Sequence, residues 1–325
     1  MVHQPPQALL FPPISPDKTG YLDVGHGHQI YFEQCGARPG VPVVFLHGGP
    51  GSGCHAQHRQ LFDPQRFWVL LFDQRGCGRS KAKDALTHNT SQDLVQDIEA
   101  LRQHLGIERW LVVGGSWGAG LGLAYAHAHP AQCLGLLLRG VFLGRGQDLH
   151  WFFQDMRQLL PDAWAELAKP VPPARQGHLF EYLHEGLNSH DPAKALACAL
   201  AWQAWERAVT ARQFVAAENP PPLSQKAAEL QAKYKLQSHY LSHACFWSDM
   251  PLLERAQSLP RSLPVALVHG RLDWVCRPQS AWELHAHLAH SQLIWLDACG
   301  HNQFEPEMVR AAVQLLDRFA THGHF

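Results

Sequence analysis

One short segment limits the folds open to this chain. An apolar run at 110–113 leads directly into Gly-Gly-Ser-Trp-Gly at 114–118, and a glycine- and alanine-rich stretch follows until Pro130. Glycines on both sides of Ser116 permit the sharp strand-to-helix turn that lifts a nucleophilic serine out of a parallel sheet. The segment therefore predicts a strand, a serine nucleophile and a helix, in that order.

Further apolar runs repeat the strand pattern along the chain. Short apolar runs between turn residues are typical of strands buried on both faces of a parallel sheet. Such runs lie at 41–46, 68–72, 133–138, 264–268 and 292–296. Apolar residues recur at helical spacing at 90–105, 280–288 and 305–320. Residues 29–33 alternate between apolar and polar, as in one strand of an antiparallel pair. The sequence therefore predicts an α/β fold with a mostly parallel central sheet.

The alternation of strands and helices is interrupted in the middle of the chain. Residues 143–253 are rich in Trp, Ala, Gln and Leu at helical spacing, which predicts an inserted helical cap. We place the core at 1–142 and 254–325 and the cap at 143–253, with Asn-Pro-Pro-Pro at 219–222 as a rigid connector inside the cap. A length of 325 residues suits one large α/β domain that carries an insertion.

Composition argues against several classes of partner. The formal net charge of -1 gives no electrostatic reason to expect nucleic acid or a charged membrane surface. The eight cysteines are scattered without a Cys-x-x-Cys pair, which indicates reduced thiols. Residues 1–6 do not resemble a secretion signal, and no apolar run reaches the length of a membrane span. We expect a soluble cytoplasmic protein, and the sequence leaves open whether it forms a homo-oligomer.

The abundance of histidine raises the question of a metal site. There are 23 histidines, with close pairs at His26 and His28 and at His127 and His129. These pairs lack the His-Glu-x-x-His pattern or clustered cysteines that bind zinc. We therefore expect no metal and no cofactor.

Three residues occur in the chain order of a serine hydrolase triad. Ser116, Asp273 and His301 each follow a predicted strand, and parallel sheets place their sites at the carboxyl ends of the strands. His301 would take the serine proton, and Asp273 would orient the imidazole. The alternatives are a hydrogen-bonded loop histidine and an aspartate that forms a local turn.

Two backbone groups would stabilise the negative charge that develops during acyl transfer. They are the N–H of Trp117, directly after the nucleophile, and the N–H of Gly49 in the His-Gly-Gly-Pro-Gly loop at 47–51. The loop Asp-Gln-Arg-Gly-Cys-Gly-Arg-Ser at 73–80 is equally conspicuous. We interpret it as structural, with Arg75 pairing with loop carboxylates.

Together these segments resemble prolyl aminopeptidase, also called proline iminopeptidase, a serine peptidase family with the α/β-hydrolase fold. The resemblance spans nearly the whole chain. It rests on His-Gly-Gly-Pro-Gly at 47–51, Asp-Gln-Arg-Gly at 73–76, Gly-Gly-Ser-Trp-Gly at 114–118, Trp-x-x-Trp-Glu at 202–206 and His-Gly-Arg-Leu-Asp at 269–273. It implies release of N-terminal proline from short peptides without a metal or organic cofactor.

The resemblance also implies a binding site for the substrate. Glu206 matches the family's acidic residue for the free amino terminus, and Phe142, Phe152 and Cys276 match positions that line the pocket for the proline ring. A solvated helix glutamate and ordinary core aromatics are the alternatives.

Two positions depart from the family pattern. The chain has Gln237 where the family usually has a second glutamate, and Leu241 where it usually has a phenylalanine. The resemblance therefore implies that recognition of the amine lacks one of two charges, and we expect relaxed or retuned specificity.

The sequence thus predicts a serine exopeptidase that releases N-terminal proline through an acyl-enzyme. A carboxylesterase or amidase of the same fold is the alternative, and a non-catalytic binding relative is a third. The residue preferred after proline, the tolerance for hydroxyproline or alanine, and the physiological substrate stay open.

Overall fold

A single twisted sheet organises the strands of the chain. The computed structural model describes residues 9–215 and 225–325, so the predicted connector at 219–222 and the segment 1–6 lie outside the described residues. The strands are β1 (Lys18–Asp23), β2 (His28–Gly36), β3 (Val41–Leu46), β4 (Phe67–Asp73), β5 (Lys81–Ala82), β6 (Trp110–Gly115), β7 (Cys133–Arg139), β8 (Val265–Gly270) and β9 (Gln292–Leu296).

The strand order explains the two kinds of sequence pattern. The sheet runs β1-β2-β4-β3-β6-β7-β8-β9, and β5 pairs with β2. Pairs that involve β2 are antiparallel, and the pairs from β4 through β9 are parallel. Every residue of β6 and β8 is buried, as expected for strands covered on both faces. The predicted mostly parallel sheet with a leading antiparallel pair is confirmed.

Helices follow the strands and also form the insertion. They are α1 (Ser91–His104), α2 (Trp117–Ala128), α3 (Gly146–Phe153), α4 (Pro161–Ala168), α5 (Leu179–Leu187), α6 (Pro192–Ala211), α7 (Gln225–Ser242), α8 (Leu252–Gln257), α9 (Pro278–His287) and α10 (Pro306–His322). The helix predicted at 90–105 is confirmed as α1, which Thr90 and Asp93 cap reciprocally. Of the helices in the described ranges, none combines the length and apolarity needed to cross a membrane.

The described chain separates into two compact units. One contains the residues up to Leu143 together with Trp247–Phe325, and the other is Gly144–Phe246. The first unit holds the sheet with α1, α2 and α8 to α10, and the second holds α3 to α7. The second boundary falls before Trp247 rather than after residue 253. Trp247 belongs to the first unit because its ring stacks on that of Trp117, with 5.0 Å between ring centroids.

One face of the sheet is covered by α10. Apolar side chains from β3, β4, β6 and β8 form one buried cluster with Met308, Val309, Leu315, Leu316 and Phe319 of this helix. Burial of this apolar stripe fixes α10 against the sheet, and burial of such side chains is the main source of stability in a domain of this kind.

A buried ion pair joins the loop after β4 to helix α1. The Arg75 guanidinium donates two hydrogen bonds of 2.6 Å to the carboxylate of Asp97, and both side chains are almost inaccessible to water. Arg75 also donates to the backbone oxygen atoms of His88 and Val24. The interpretation of this loop as structural agrees with these contacts, but the main partner of Arg75 is a helix residue, not a loop carboxylate.

Replacing Arg75 with Met is expected to lower the free energy of unfolding by about 3–5 kcal/mol, because the Asp97 carboxylate would stay buried without its cation. Denaturant titration measures this change. Arg66→Met is the matched control, since Arg66 pairs with the exposed Asp317 and should lose only about 0.5 kcal/mol. Equal small losses for both variants would contradict the structural importance of the Arg75 pair.

Candidate active site

Ser116 lies at a strained turn between β6 and α2. Its backbone angles are φ 58° and ψ −123°, a region that residues with a side chain rarely adopt. Backbone hydrogen bonds hold the turn, from Ser116 N–H to the oxygen of Arg139 at 3.0 Å and from Ala119 N–H to the oxygen of Ser116 at 2.9 Å. The predicted order of strand, serine and helix is confirmed.

Gly118 allows the first turn of α2 to approach the end of β3. A Cβ atom at this position would collide with the backbone oxygen of Leu46 and lie 3.0 Å from that of His47. Only glycine therefore permits this spacing. The approach also brings the loop at 47–51 beside the serine, because a Cβ atom at Gly48 would lie 3.4 Å from the Cβ atom of Ser116.

Asp273 and His301 form a buried hydrogen-bonded pair. The Nδ1 atom of His301 lies 2.8 Å from Oδ2 of Asp273, and the carboxylate is fully buried. The other oxygen, Oδ1, accepts backbone N–H bonds from Val275 at 3.0 Å and Cys276 at 2.8 Å. This arrangement fixes the carboxylate plane and assigns the His301 proton to Nδ1, which leaves Nε2 as an acceptor.

The surroundings of Asp273 favour its ionised form. Burial by itself raises the pKa of Asp273, but the charge and hydrogen bond of His301, the nearby His269 and the N–H of Cys276 outweigh burial and lower this pKa below its ordinary value. His269 is buried, and burial lowers its own pKa. Its ring accepts a hydrogen bond from Val141 N–H and donates one to the Cys276 backbone oxygen. The neutral ring therefore links these two backbone segments.

Arg139, at the end of β7, braces the loop that carries His301. Its guanidinium donates to the backbone oxygen of His301 at 2.9 Å and to Oε1 of Gln303 at 3.3 Å. Burial lowers the pKa of Arg139 to about 10, and the charge of Asp273 opposes this change. The sequence analysis did not single out Arg139. The signal available was its position at the carboxyl end of a parallel strand.

The two candidate oxyanion donors are the backbone N–H groups of Trp117 and Gly49. Trp117 is the first residue of α2, so its backbone N–H belongs to the positive end of the helix dipole. Gly49 adopts φ 121°, and a Cβ atom there would lie 2.6 Å from the backbone nitrogen of Gly51. Glycine is therefore required for the shape of this loop.

The Gln74 side chain links the two segments that carry these donors. Its Nε2 atom donates to the backbone oxygen of His47 at 3.0 Å, and its Oε1 accepts the indole N–H of Trp117 at 2.8 Å. The backbone N–H of Gln74 donates to Nε2 of His47, while Nδ1 of His47 bonds the Gly48 oxygen. Sequence analysis missed this role, although Gln74 stands in the conspicuous loop at 73–80.

Apolar groups of the first unit lie next to Ser116. The Sγ atom of Cys276 is 3.9 Å from the serine Oγ, and Cys276 is buried. Phe142 lies beside the rings of Trp117 and Trp247, with 6.4 Å between its centroid and each of theirs. The structure therefore brings Cys276 to the candidate nucleophile and Phe142 to the candidate oxyanion residue.

The remaining predicted residues lie in the second unit. The indole N–H of Trp205 donates to the backbone oxygen of Phe152 at 3.0 Å, and their rings meet edge to face. Glu206 follows Trp205 directly on α6. The Glu206 carboxylate contacts Lys233 and Tyr234 of α7, and that helix also carries Gln237 and Leu241.

Gln237 carries an unusual polar atom. Its Oε1 is buried and has no hydrogen-bond partner within the described ranges 9–215 and 225–325. A buried oxygen of this kind is an acceptor suited to a bound donor group.

Histidines and acids do not gather into a metal centre in the described part of the chain. No group of three or more His, Cys, Asp or Glu side chains among these residues is arranged to hold an ion. Buried histidines such as His47 and His269 instead take part in the hydrogen bonds already described.

The sheet order and the serine turn define the class as α/β hydrolase. A family model described as alpha/beta hydrolase fold matches residues 41–307. The fold class predicted from the sequence is confirmed.

Similar sequences identify the family within the α/β hydrolases. The proline iminopeptidase of Xylella fastidiosa (strain 9a5c) is 42% identical over 95% of this chain and 99% of its own length, and that of Xanthomonas citri is 43% identical over 96% and 99%. The chain belongs to the proline iminopeptidase family, and the predicted resemblance is confirmed. A crystal structure of proline iminopeptidase from Mycobacterium smegmatis, 21% identical, covers 94% of this chain and 99% of its own with a TM-score of 0.58, which shows the shared fold.

Replacing Gln74 with Leu is expected to lower kcat for an aryl amide by about 10- to 100-fold with little change in KM, because misplaced oxyanion donors weaken binding of the transition state alone. Steady-state kinetics with purified variants measure both constants. Gln65→Leu, at an exposed glutamine, is the control and should behave as the wild type. A rise in KM at unchanged kcat would show that Gln74 does not act on the oxyanion donors.

Proposed function

We propose that this protein is a prolyl aminopeptidase, a serine exopeptidase that releases N-terminal proline from short peptides through an acyl-enzyme. The observation that carries this proposal is the identity of 42% with a proline iminopeptidase over 95% of the chain. The alternative of a carboxylesterase or amidase is not favoured, because the similar full-length relatives are named proline iminopeptidases.

In the proposed first step, Ser116 Oγ attacks the carbonyl carbon of the N-terminal proline. His301 Nε2 takes the serine proton and then gives it to the leaving amine, so the C–N bond breaks as the acyl-enzyme forms. Asp273 stays ionised and stabilises the imidazolium through Nδ1, consistent with its lowered pKa. The backbone N–H groups of Gly49 and Trp117 would donate to the oxyanion.

In the second step, water attacks the prolyl ester. His301 accepts a proton from the water and returns one to Ser116, which releases free proline. The strained backbone of Ser116 supports this role, because strain of this kind persists only where the surrounding structure enforces it.

Selection of the free amino terminus is assigned to α6 and α7. Glu206 would bind the prolyl ammonium, and Oε1 of Gln237 offers a neutral acceptor. Phe142, Phe152, Leu241 and Cys276 would line the pocket for the proline ring. Trp205, which donates to the backbone oxygen of Phe152, directly precedes Glu206 on α6, and this supports placing Phe152 and Glu206 in the same part of the second unit.

We also propose a cytoplasmic location. All eight cysteines are thiols, and seven of them are buried. This state suits a reducing compartment.

Replacing Ser116 with Ala is expected to lower kcat for prolyl arylamide by about 10⁴-fold or more, because no other group supplies the nucleophile. Release of the arylamine gives the rate. An organophosphonate should label the wild type at Ser116 and leave the folded variant unmodified. Retention of more than a tenth of the activity would exclude the acyl-enzyme mechanism at this residue.

Replacing Glu206 with Gln is expected to raise KM for prolyl arylamide by about 10- to 100-fold, the effect of losing a charged hydrogen bond, while N-acetyl-prolyl arylamide is hydrolysed as by the wild type. Rates on the two substrates provide the measurement. Glu229→Gln, at an exposed glutamate of α7, serves as control. Unchanged preference for the free amine in Glu206→Gln would remove Glu206 from substrate recognition.

A further inference from the structure

The carboxylate assigned to the substrate amine already holds an ammonium group from its own chain. The Nζ atom of Lys233 lies 3.1 Å from Oε1 of Glu206, and the Tyr234 hydroxyl donates to Oε2 at 3.1 Å. The side chains of Lys233 and Glu206 are 25% and 30% exposed, so this pair is only partly screened by water.

Lys233 is held in place by more than one contact. Its Nζ atom is 3.5 Å from the Tyr234 hydroxyl and 4.7 Å from the centroid of the Tyr234 ring. Tyr234 itself is buried between the helices, and burial, followed by the charge of Glu206, raises the pKa of its hydroxyl. A neutral tyrosine therefore donates to Glu206 and leaves the charge of the carboxylate to be balanced by Lys233.

The ammonium group of Lys233 and that of an N-terminal proline would compete for the Glu206 carboxylate. Both are cations that donate N–H bonds, and a carboxylate has two oxygens to offer. A substrate ammonium bound at Glu206 would meet a like charge a few ångströms away, which disfavours its charged form or requires Lys233 to move.

The sequence spacing places Lys233 with the two departures from the family pattern. Lys233, Gln237 and Leu241 recur every four residues on α7, so they share one face of the helix. The formal charges of Glu206, Lys233 and Gln237 sum to zero. A site with two glutamates and no lysine would instead carry a charge of −2.

We propose that Lys233 is a specificity-determining residue that acts through Glu206, as a built-in cation that weakens selection for a free amino terminus. This inference rests on the proposed function, because it takes Glu206 to be the group that binds the substrate amine. The chemical class it affects is the protonated secondary amine of an N-terminal proline, compared with the uncharged N-acyl-prolyl group.

The test compares KM and kcat of wild type and Lys233→Met on prolyl arylamide and N-acetyl-prolyl arylamide. We expect KM for the free amine to fall by about 10-fold, the effect of removing one nearby like charge, with kcat unchanged and the acetylated substrate unaffected. Lys233→Arg should restore the wild-type ratio. Lys235→Met, at an exposed lysine of the same helix, should change nothing.

A purely structural lysine would give a different result. If Lys233 only joins α6 to α7, its loss lowers the thermal midpoint and changes KM for both substrates by the same factor, or changes neither KM. In both cases the ratio of the two KM values stays as in the wild type, and this result overturns the inference. Lys233→Gln removes the charge but retains a donor for Glu206, so it gives the same test should the Met variant not fold.

The Glu206→Gln background separates failure of this inference from failure of the proposed function. Lys233→Met should have no effect on the substrate ratio there, because no carboxylate remains to be released. If Glu206→Gln alone leaves the preference for free amine intact, the proposed amine site is wrong. If Glu206→Gln abolishes the preference and Lys233→Met does not strengthen it, only the role of Lys233 is wrong.

Discussion

The close approach of α2 to the end of β3 is the constraint on which the site of the first unit depends. Gly118 lets the helix backbone pack against the oxygen atoms of Leu46 and His47. The strained turn at Ser116 lies directly before this approach, and the loop at 47–51 lies against the serine. A larger residue at 118 would separate the candidate nucleophile from the candidate oxyanion donors, although neither would have been substituted.

Hydrogen bonds from polar side chains then fix the positions of the loop at 47–51, Trp117 and His301. Gln74 forms hydrogen bonds with the loop at 47–51 and with the Trp117 indole. Asp273 accepts hydrogen bonds from His301 and from two backbone N–H groups. Arg139 donates to the backbone oxygen of His301. Gln74 and Asp273 are buried and hydrogen-bonded, which is the condition under which a polar group rigidifies a site and does not destabilise it. Chemistry that requires placement within a fraction of an ångström depends on this kind of support.

Local sequence patterns predicted the sheet, the helix at 90–105, the serine turn and the Asp273–His301 pair, because each follows from short-range periodicity or from strand order. Contacts between distant segments were not predictable in this way. Arg75 was expected to pair with loop carboxylates, but its partner Asp97 lies 22 positions away on the buried face of α1. Trp247 was assigned to the cap, although its stacking on Trp117 places it with the core unit. The contacts of Gln74 and Lys233 were not predictable from local sequence, because the main partners of these side chains lie on other segments of the chain.

The requirements on Glu206 explain why its partners matter as much as its own charge. A carboxylate on a half-buried surface is destabilising unless a donor or cation balances it, and that balance has to exist before any substrate arrives. Tyr234 and Lys233 supply it. At the proposed amine site, a second acid at 237 would strengthen the attraction for an ammonium but would also add a second negative charge that needs a partner. Under the proposed function, the same balance lowers the advantage that a charged amine gains on binding, so helix side chains that take no part in acyl transfer would set the preference for a free amino terminus.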